Sequence, residues 1–140
     1  MKALLLLAFG GPRSLDEVEG LLTRLFPTRK VSADLLERVK ERYRLIGGSS
    51  PLLEITSRQA EGLERELRGR GHRFRSYVGM RYCQPLIEET LQQIWEDGLR
   101  EIIAVPMTPF ESRASTGGYI NEVQRVNEGL GPPGEAELGQ

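Results

Sequence analysis

Ala3-Leu-Leu-Leu-Leu-Ala-Phe9 is an unbroken apolar run, and Gly10-Gly11-Pro12 stops it. A run this short, bounded by turn residues, predicts a strand buried on both faces, as inside a parallel sheet. From Leu15 the period changes. Leu15, Val18, Leu21, Leu22, Leu25 and Phe26 recur at helical spacing until Pro27, behind Ser14-Leu-Asp-Glu17, which has the form of a capping box. After the polar connector Thr28-Arg29-Lys30, Ser32 is placed to cap a second helix with a stripe of Leu35, Leu36, Val39, Tyr43 and Ile46, and Gly47-Gly48 ends it.

Ser50 and Pro51 open a third helix, with Leu53, Ala60, Leu63 and Leu67 inward and Gly69 and Gly71 at its close. Arg73 to Met80 alternates and predicts a less fully covered strand. Pro85 and Gly98 frame a fourth helix, apolar at Ile87, Leu91, Ile94 and Trp95. Glu101-Ile-Ile-Ala-Val-Pro106 is a second short apolar strand, followed by a long polar loop and a last helix from about Thr116 to Glu128. Alternation of strands and helices in this order predicts an α/β domain over residues 1–128. Its parallel sheet has three strands, or four with one the pattern does not locate. Residues 129–140, rich in glycine and proline, are expected to be a disordered or linker-like tail. The loops at Phe9–Arg13 and Thr108–Gly118 then share the carboxyl edge of the sheet, where α/β folds bind ligands.

At 140 residues the chain makes one domain. Nineteen basic and twenty acidic residues nearly cancel, which removes the argument for a nucleic-acid or membrane-surface partner. One cysteine forms no internal disulfide. The apolar start is too short, with Gly-Gly-Pro in place of a cleavage site, to be read as a signal peptide, and no stretch is long enough to span a membrane. A cytoplasmic protein is expected.

Local chemistry alone is ambiguous. Gly10-Gly11 lacks the spacing of a dinucleotide fingerprint, so these glycines either make a tight strand-to-helix turn or let a ligand approach the backbone. Ser112, Arg113, Ser115 and Thr116 precede a helix and suit an anion, or are an ordinary cap beside a solvated arginine. His72, the single histidine, sits in a turn at the amino end of a strand, away from that edge. Cys83 has no histidine or cysteine near it in sequence and reads as an inert thiol.

Longer motifs are more specific. Arg42-Tyr-Arg-Leu-Ile-Gly-Gly-Ser-Ser-Pro51 is similar to the Y-x-x-I-G-G-x-S-P stretch of the ferrochelatases, enzymes that insert ferrous iron into a porphyrin in haem synthesis. Tyr77-Val-Gly-Met-Arg-Tyr82 with Pro85 resembles that family's Y-x-G-x-R-Y/H-x-x-P element. Asp97-Gly98-Leu99 precedes the next strand as it does there, and Pro109 through Asn121 is similar to the P-x-x-S-x-x-S-T-G loop. The resemblance runs from about residue 3 to residue 128.

It implies a three-layer chelatase-like α/β fold holding porphyrin in a cleft between two similar domains. Phe9, Gly10 and Pro12 would lie against the macrocycle, Tyr43 and Ser50 near it, and Arg29, Arg113, Ser115 and Tyr119 at its propionates or the cleft wall. Phe9 replaces a tyrosine found in the coproporphyrin-using branch, and a phenyl ring cannot ligate iron. By the same resemblance the catalytic histidine and acidic groups belong to a second domain, supplied in cis or by a partner chain. No catalytic or metal-ligating residue is therefore assigned here, and the chain is expected to be inactive alone. Ferrous iron and porphyrin are substrates rather than resident cofactors. The alternatives are a stand-alone porphyrin- or haem-binding module, and a half-domain acting only by association, as in a homodimer through the cleft face. A small homodimeric chelatase ranks last, because it needs a histidine at the carboxyl edge.

Overall fold

Leu4, Leu5, Leu6 and Leu7 are all 5% exposed or less, which places strand β1 (Lys2–Ala8) at the centre of the molecule. The computed structural model of the protein describes residues 1–107, 118–129 and 135–138. In it β1 pairs in parallel with β2 (Phe74–Met80) on one side and β3 (Glu101–Pro106) on the other. Strand β4 (Glu135–Leu138) extends the sheet beyond β3, giving the order β2-β1-β3-β4. The predicted parallel α/β sheet is thus present, with its fourth strand now located.

That strand falls in the segment expected to be a tail. Glu135-Ala-Glu-Leu138 alternates over only four residues, a signal too short to read within a stretch of glycine and proline. Its pairing is supplied by β3, whose outer backbone groups would otherwise lack partners.

Alternation along β1 divides the core. Ala3, Leu5 and Leu7 face α4 (Ile87–Glu96) and α5 (Gly118–Gly129) in a cluster with Ile87, Leu91, Ile94, Ile102, Ala104, Tyr119, Val123 and Val126. Leu4 and Leu6 face α3 (Leu52–Gly69) through Ala60, with Phe74, Val78, Ile103 and Val105 half-buried around them. Helices on both faces make the three layers. Small Thr56 and Ala60 line the contact face of α3, whereas Leu63, expected inward, is 40% exposed.

Helices α1 (Val18–Leu25) and α2 (Ala33–Arg44) stand off the sheet. Val18, Leu21 and Leu22 are buried as predicted, but α2 buries no residue fully. It packs mainly on α1 and the 3-10 turn Leu15–Glu17, and the far end of its stripe, Ile46, is 61% exposed. Ser32 caps α2 as expected, its hydroxyl accepting from the Leu35 amide at 3.1 Å. The first capping box is not formed. Ser14 makes no side-chain cap bond, and Glu17 instead accepts from the amide of Arg13.

Edge strand β2 is tied to the end of α4 by the Tyr77 hydroxyl, which donates to Asp97 at 2.6 Å, with Gln93 donating to the same carboxylate. Among the described residues no helix is long and apolar enough to cross a membrane.

Candidate functional site

Three segments meet at the carboxyl edge of the sheet: Phe9–Arg13 after β1, Arg81–Leu86 after β2, and the turn Ser49–Pro51 before α3. The strand ladder runs on past its ends. Arg81 donates its amide to the Ala8 carbonyl and Tyr82 to the Phe9 carbonyl, each at 3.0 Å. The Ser50 amide donates to the Pro12 carbonyl at 2.8 Å, and the Ser50 hydroxyl accepts from the Leu52 amide at 3.2 Å, while the cap of α3 falls on Pro51, one residue after the expected Ser50.

Glycine is required at the bend. Gly10 has φ +113°, and a Cβ there would sit 2.9 Å from the Cys83 nitrogen. A Cβ on Gly11 would come within 2.5 Å of Ser50 Cβ and closer still to its hydroxyl. Both glycines therefore allow three backbone segments to touch, beyond merely turning the chain.

Above this close-packed base lies a pair of aromatic rings. Phe9, 47% exposed, meets Tyr82 with centroids 4.7 Å apart and planes inclined by 56°. The Arg81 guanidinium lies 5.0 Å from the Tyr82 centroid, a cation–π contact. Arg24 of α1 donates to the Tyr82 carbonyl at 3.3 Å, and Arg13 donates to Gln84 at 3.0 Å. An aromatic face with Phe9 exposed and Arg81 and Arg24 beside it suits a flat, conjugated ligand that carries carboxylates.

Of the residues singled out from the sequence, Phe9, Gly10, Pro12 and Ser50 come together here. Phe9 presents its ring to solvent, while Gly10 and Pro12 are buried beneath it. Tyr43 is half-buried beside this group, its phenol pushed up by burial and, secondarily, by the neighbouring Cys83 thiol. Tyr119, at the start of α5, is 4% exposed; burial raises its hydroxyl, and the nearby Arg81 opposes that rise. Arg29 is exposed in the turn after α1, its amide bonded to the Phe26 carbonyl, and is not part of the cluster. Arg113 and Ser115 lie outside the described residues.

Arg81 and Tyr82 belong to a motif quoted from the sequence but are not among its expected site residues, and Arg24 is in neither. The available signal was positional: a strand adjacent to β1 delivers its following loop to the same edge, so Arg81 and Tyr82 had to arrive beside Phe9. Histidine 72 is at the opposite end of β2, as expected, and is exposed.

Cys83 is 1% exposed, and burial pushes its thiol up to about 11, with the Glu17 carboxylate adding to the rise. Only about 0.1% is thiolate at pH 8. Alkylation of the folded protein by iodoacetamide should therefore run at least ~100-fold slower than that of the urea-unfolded chain. Equal rates would show the thiol to be accessible.

Glu17 sits below its ordinary value of 4.5, held there mainly by the Arg13 guanidinium and then by the Arg13 amide. A lowered carboxylate contributes stability that is present above its unfolded pKa and disappears as pH falls through the folded one. The unfolding midpoint should therefore drop as pH decreases from about 4.5, and Glu17→Gln should flatten that decline. A decline of the same slope in the variant would exclude Glu17 as a contributor.

The ferrochelatase family model matches residues 1–136. The chain is 41% identical over 140 residues to the "Ferrochelatase" of Geobacter sp. strain M21, covering 89% of this chain and 43% of that protein. It is 36% identical over 132 residues to the "Coproporphyrin III ferrochelatase" of Halalkalibacterium halodurans, covering 93% and 43%. Against the "Ferrochelatase" of Deinococcus radiodurans it is 35% identical over 124 residues, covering 89% and 39%. The chain thus spans about two fifths of the length of the curated relatives it matches. With its motifs in order on a parallel α/β sheet, the chain belongs to the ferrochelatase family.

Proposed function

We propose that this domain forms one wall of a porphyrin cleft in an enzyme that inserts ferrous iron into the macrocycle for haem synthesis. The observation that carries the reading is the Phe9–Tyr82 ring pair, Phe9 exposed and Tyr82 half-buried, with Arg81 and Arg24 beside it, in a chain of this family. A porphyrin is a rigid aromatic plane with carboxylates on one side. Its plane finds the rings, and its propionates find guanidinium groups that match them as two-pronged donors.

In this reading Phe9 contacts the macrocycle, and Gly10 and Pro12 keep the loop beneath it tight. Tyr43 and Ser50 border the cleft, and Arg29, Arg113, Ser115 and Tyr119 belong to its wall or to propionate binding. Iron and porphyrin both arrive as substrates in the cytoplasm. The opposite wall, with the base that takes the pyrrole protons, comes from a second ferrochelatase-type domain, in cis or from a partner chain.

For this chain taken by itself the reading narrows to porphyrin or haem binding without chemistry. Cys83, Tyr43 and Tyr119 are all pushed up by burial and stay protonated at neutral pH, so none of them serves as a proton acceptor. Titration with protoporphyrin and coproporphyrin, read by fluorescence quenching, followed by ferrous iron, tests the porphyrin reading in both forms. Binding without a metalloporphyrin spectrum is the expected result for this chain alone. Appearance of that spectrum would show that the chain itself holds the base, and absence of binding by either porphyrin would defeat both readings.

A further inference from the structure

Arg13 joins two loops that backbone hydrogen bonds from Arg81 and Tyr82 already hold side by side. Its Nε and Nη2 donate to Glu17 Oε2 at 3.1 and 2.8 Å, and Nε also reaches Oε1 at 3.2 Å. Its own amide donates to Glu17 Oε1 at 2.6 Å. The same Nη2 donates to Gln84 Oε1 at 3.0 Å, and Gln84 passes the chain on to Glu89 at 3.4 Å. A line of polar contacts therefore runs from the loop after β1, through the turn before α1, to the loop after β2 and the first turn of α4.

We propose that Arg13 is a positioning residue, which through Glu17 and Gln84 holds the two loops in one relative placement and so sets the geometry of the Phe9–Tyr82 ring pair. Its consequence for ligand binding rests on the porphyrin reading above; its consequence for the rings does not.

An exposed ion pair usually contributes little. This one differs in two respects. The Glu17 side chain is only 23% exposed, and one of its donors is a backbone amide, which cannot swing away as a side chain does. The two-pronged contact then directs the remaining Nη2 proton at Gln84, in the neighbouring loop. Arg24 is the other charged group that bears on Glu17, and Glu89 and Cys83 are the further groups that bear on Arg13. Arg24 itself bonds the Tyr82 carbonyl, so the loop after β2 is held from both ends.

Nuclear Overhauser contacts between the Phe9 and Tyr82 rings, and hydrogen exchange at the Tyr82 amide, test the strap without any ligand. Arg13→Gln should keep the far-ultraviolet spectrum, weaken those contacts and speed Tyr82 exchange. In the same variant protoporphyrin affinity should fall about 3–10-fold. The charge-reversed pair Arg13→Glu with Glu17→Arg should recover part of both losses, which a generic surface substitution would not do. Unchanged ring contacts and exchange in both Arg13→Gln and Glu17→Gln would overturn the strap. If wild-type protein binds no protoporphyrin yet the ring contacts still weaken, the strap stands and the porphyrin reading falls.

Discussion

Replacing Leu5 with alanine is expected to remove about 3 kcal/mol of folding stability. Leu5 is fully buried, opposite Tyr77 on one side and Ala104 on the other, inside the larger of the two core clusters. Deleting its branched end costs the transfer free energy of the lost carbons and leaves a cavity. Helices α4 and α5 are anchored on a hydrogen-bonded sheet and cannot collapse into that space. A domain of this size has only about 5–15 kcal/mol in total, so a large fraction disappears with one side chain. Urea unfolding should show a lowered midpoint with the slope retained. Leu4 provides the comparison. It points to the thinner cluster under α3, and Leu4→Ala should cost about half as much. A loss below about 1 kcal/mol for Leu5→Ala would contradict the two-faced burial of β1.

The second large effect is at Gly10. An alanine there must adopt φ +113° and place its Cβ 2.9 Å from the Cys83 nitrogen and 3.1 Å from Cys83 Cβ. The clash is with backbone, so no rotamer change relieves it. Strain of this kind costs about 1–3 kcal/mol. Relief requires the two loops to separate, which would break the Tyr82 amide's bond to the Phe9 carbonyl and part the rings above it. Gly10→Ala should therefore lose about 2 kcal/mol of stability and, in a protoporphyrin titration, most of its affinity. Gly62→Ala is the control. A Cβ there meets nothing within 4 Å, and in the middle of α3 it should stabilise by about 0.5–1 kcal/mol. Normal porphyrin affinity in Gly10→Ala would mean that the loop tolerates reshaping and that the ring pair is not the binding surface.

How much of this could be read in advance differs from element to element, for physical reasons. The β1 run declares itself because burial on both faces leaves no polar position, and its capping glycines announce the bend. The burial of α2 could not be read. Its apolar stripe has ordinary helical spacing, but spacing reports which side faces inward and not whether a sheet waits there. The Ser14–Glu17 box failed because a third group competed: the Arg13 guanidinium and amide took the carboxylate that the pattern assigned to Ser14. Strand β4 depends on an edge offered by β3, which is tertiary information. At the site, Phe9 and Gly10 were legible from the end of the apolar run and Ser50 from its motif, whereas Tyr82 and Arg81, though inside a motif, gain a place at the site only once β2 is known to lie beside β1.

The central place of β1 also sets the order in which the domain can assemble. Lys2 pairs with Phe74 and Ala3 with Ile102, so its two partners follow it by roughly seventy and roughly one hundred residues. Contacts of such long range are slow to form, because a large loop must close before any pairing is rewarded. During synthesis at about 5–20 residues per second, the most apolar segment emerges before both of its partners and waits on the order of ten seconds for β2. Through that interval an unpaired leucine strand is open to chaperones and to other nascent chains alike. The residues that make the most secure part of the finished sheet are thus the most aggregation-prone part of the growing one.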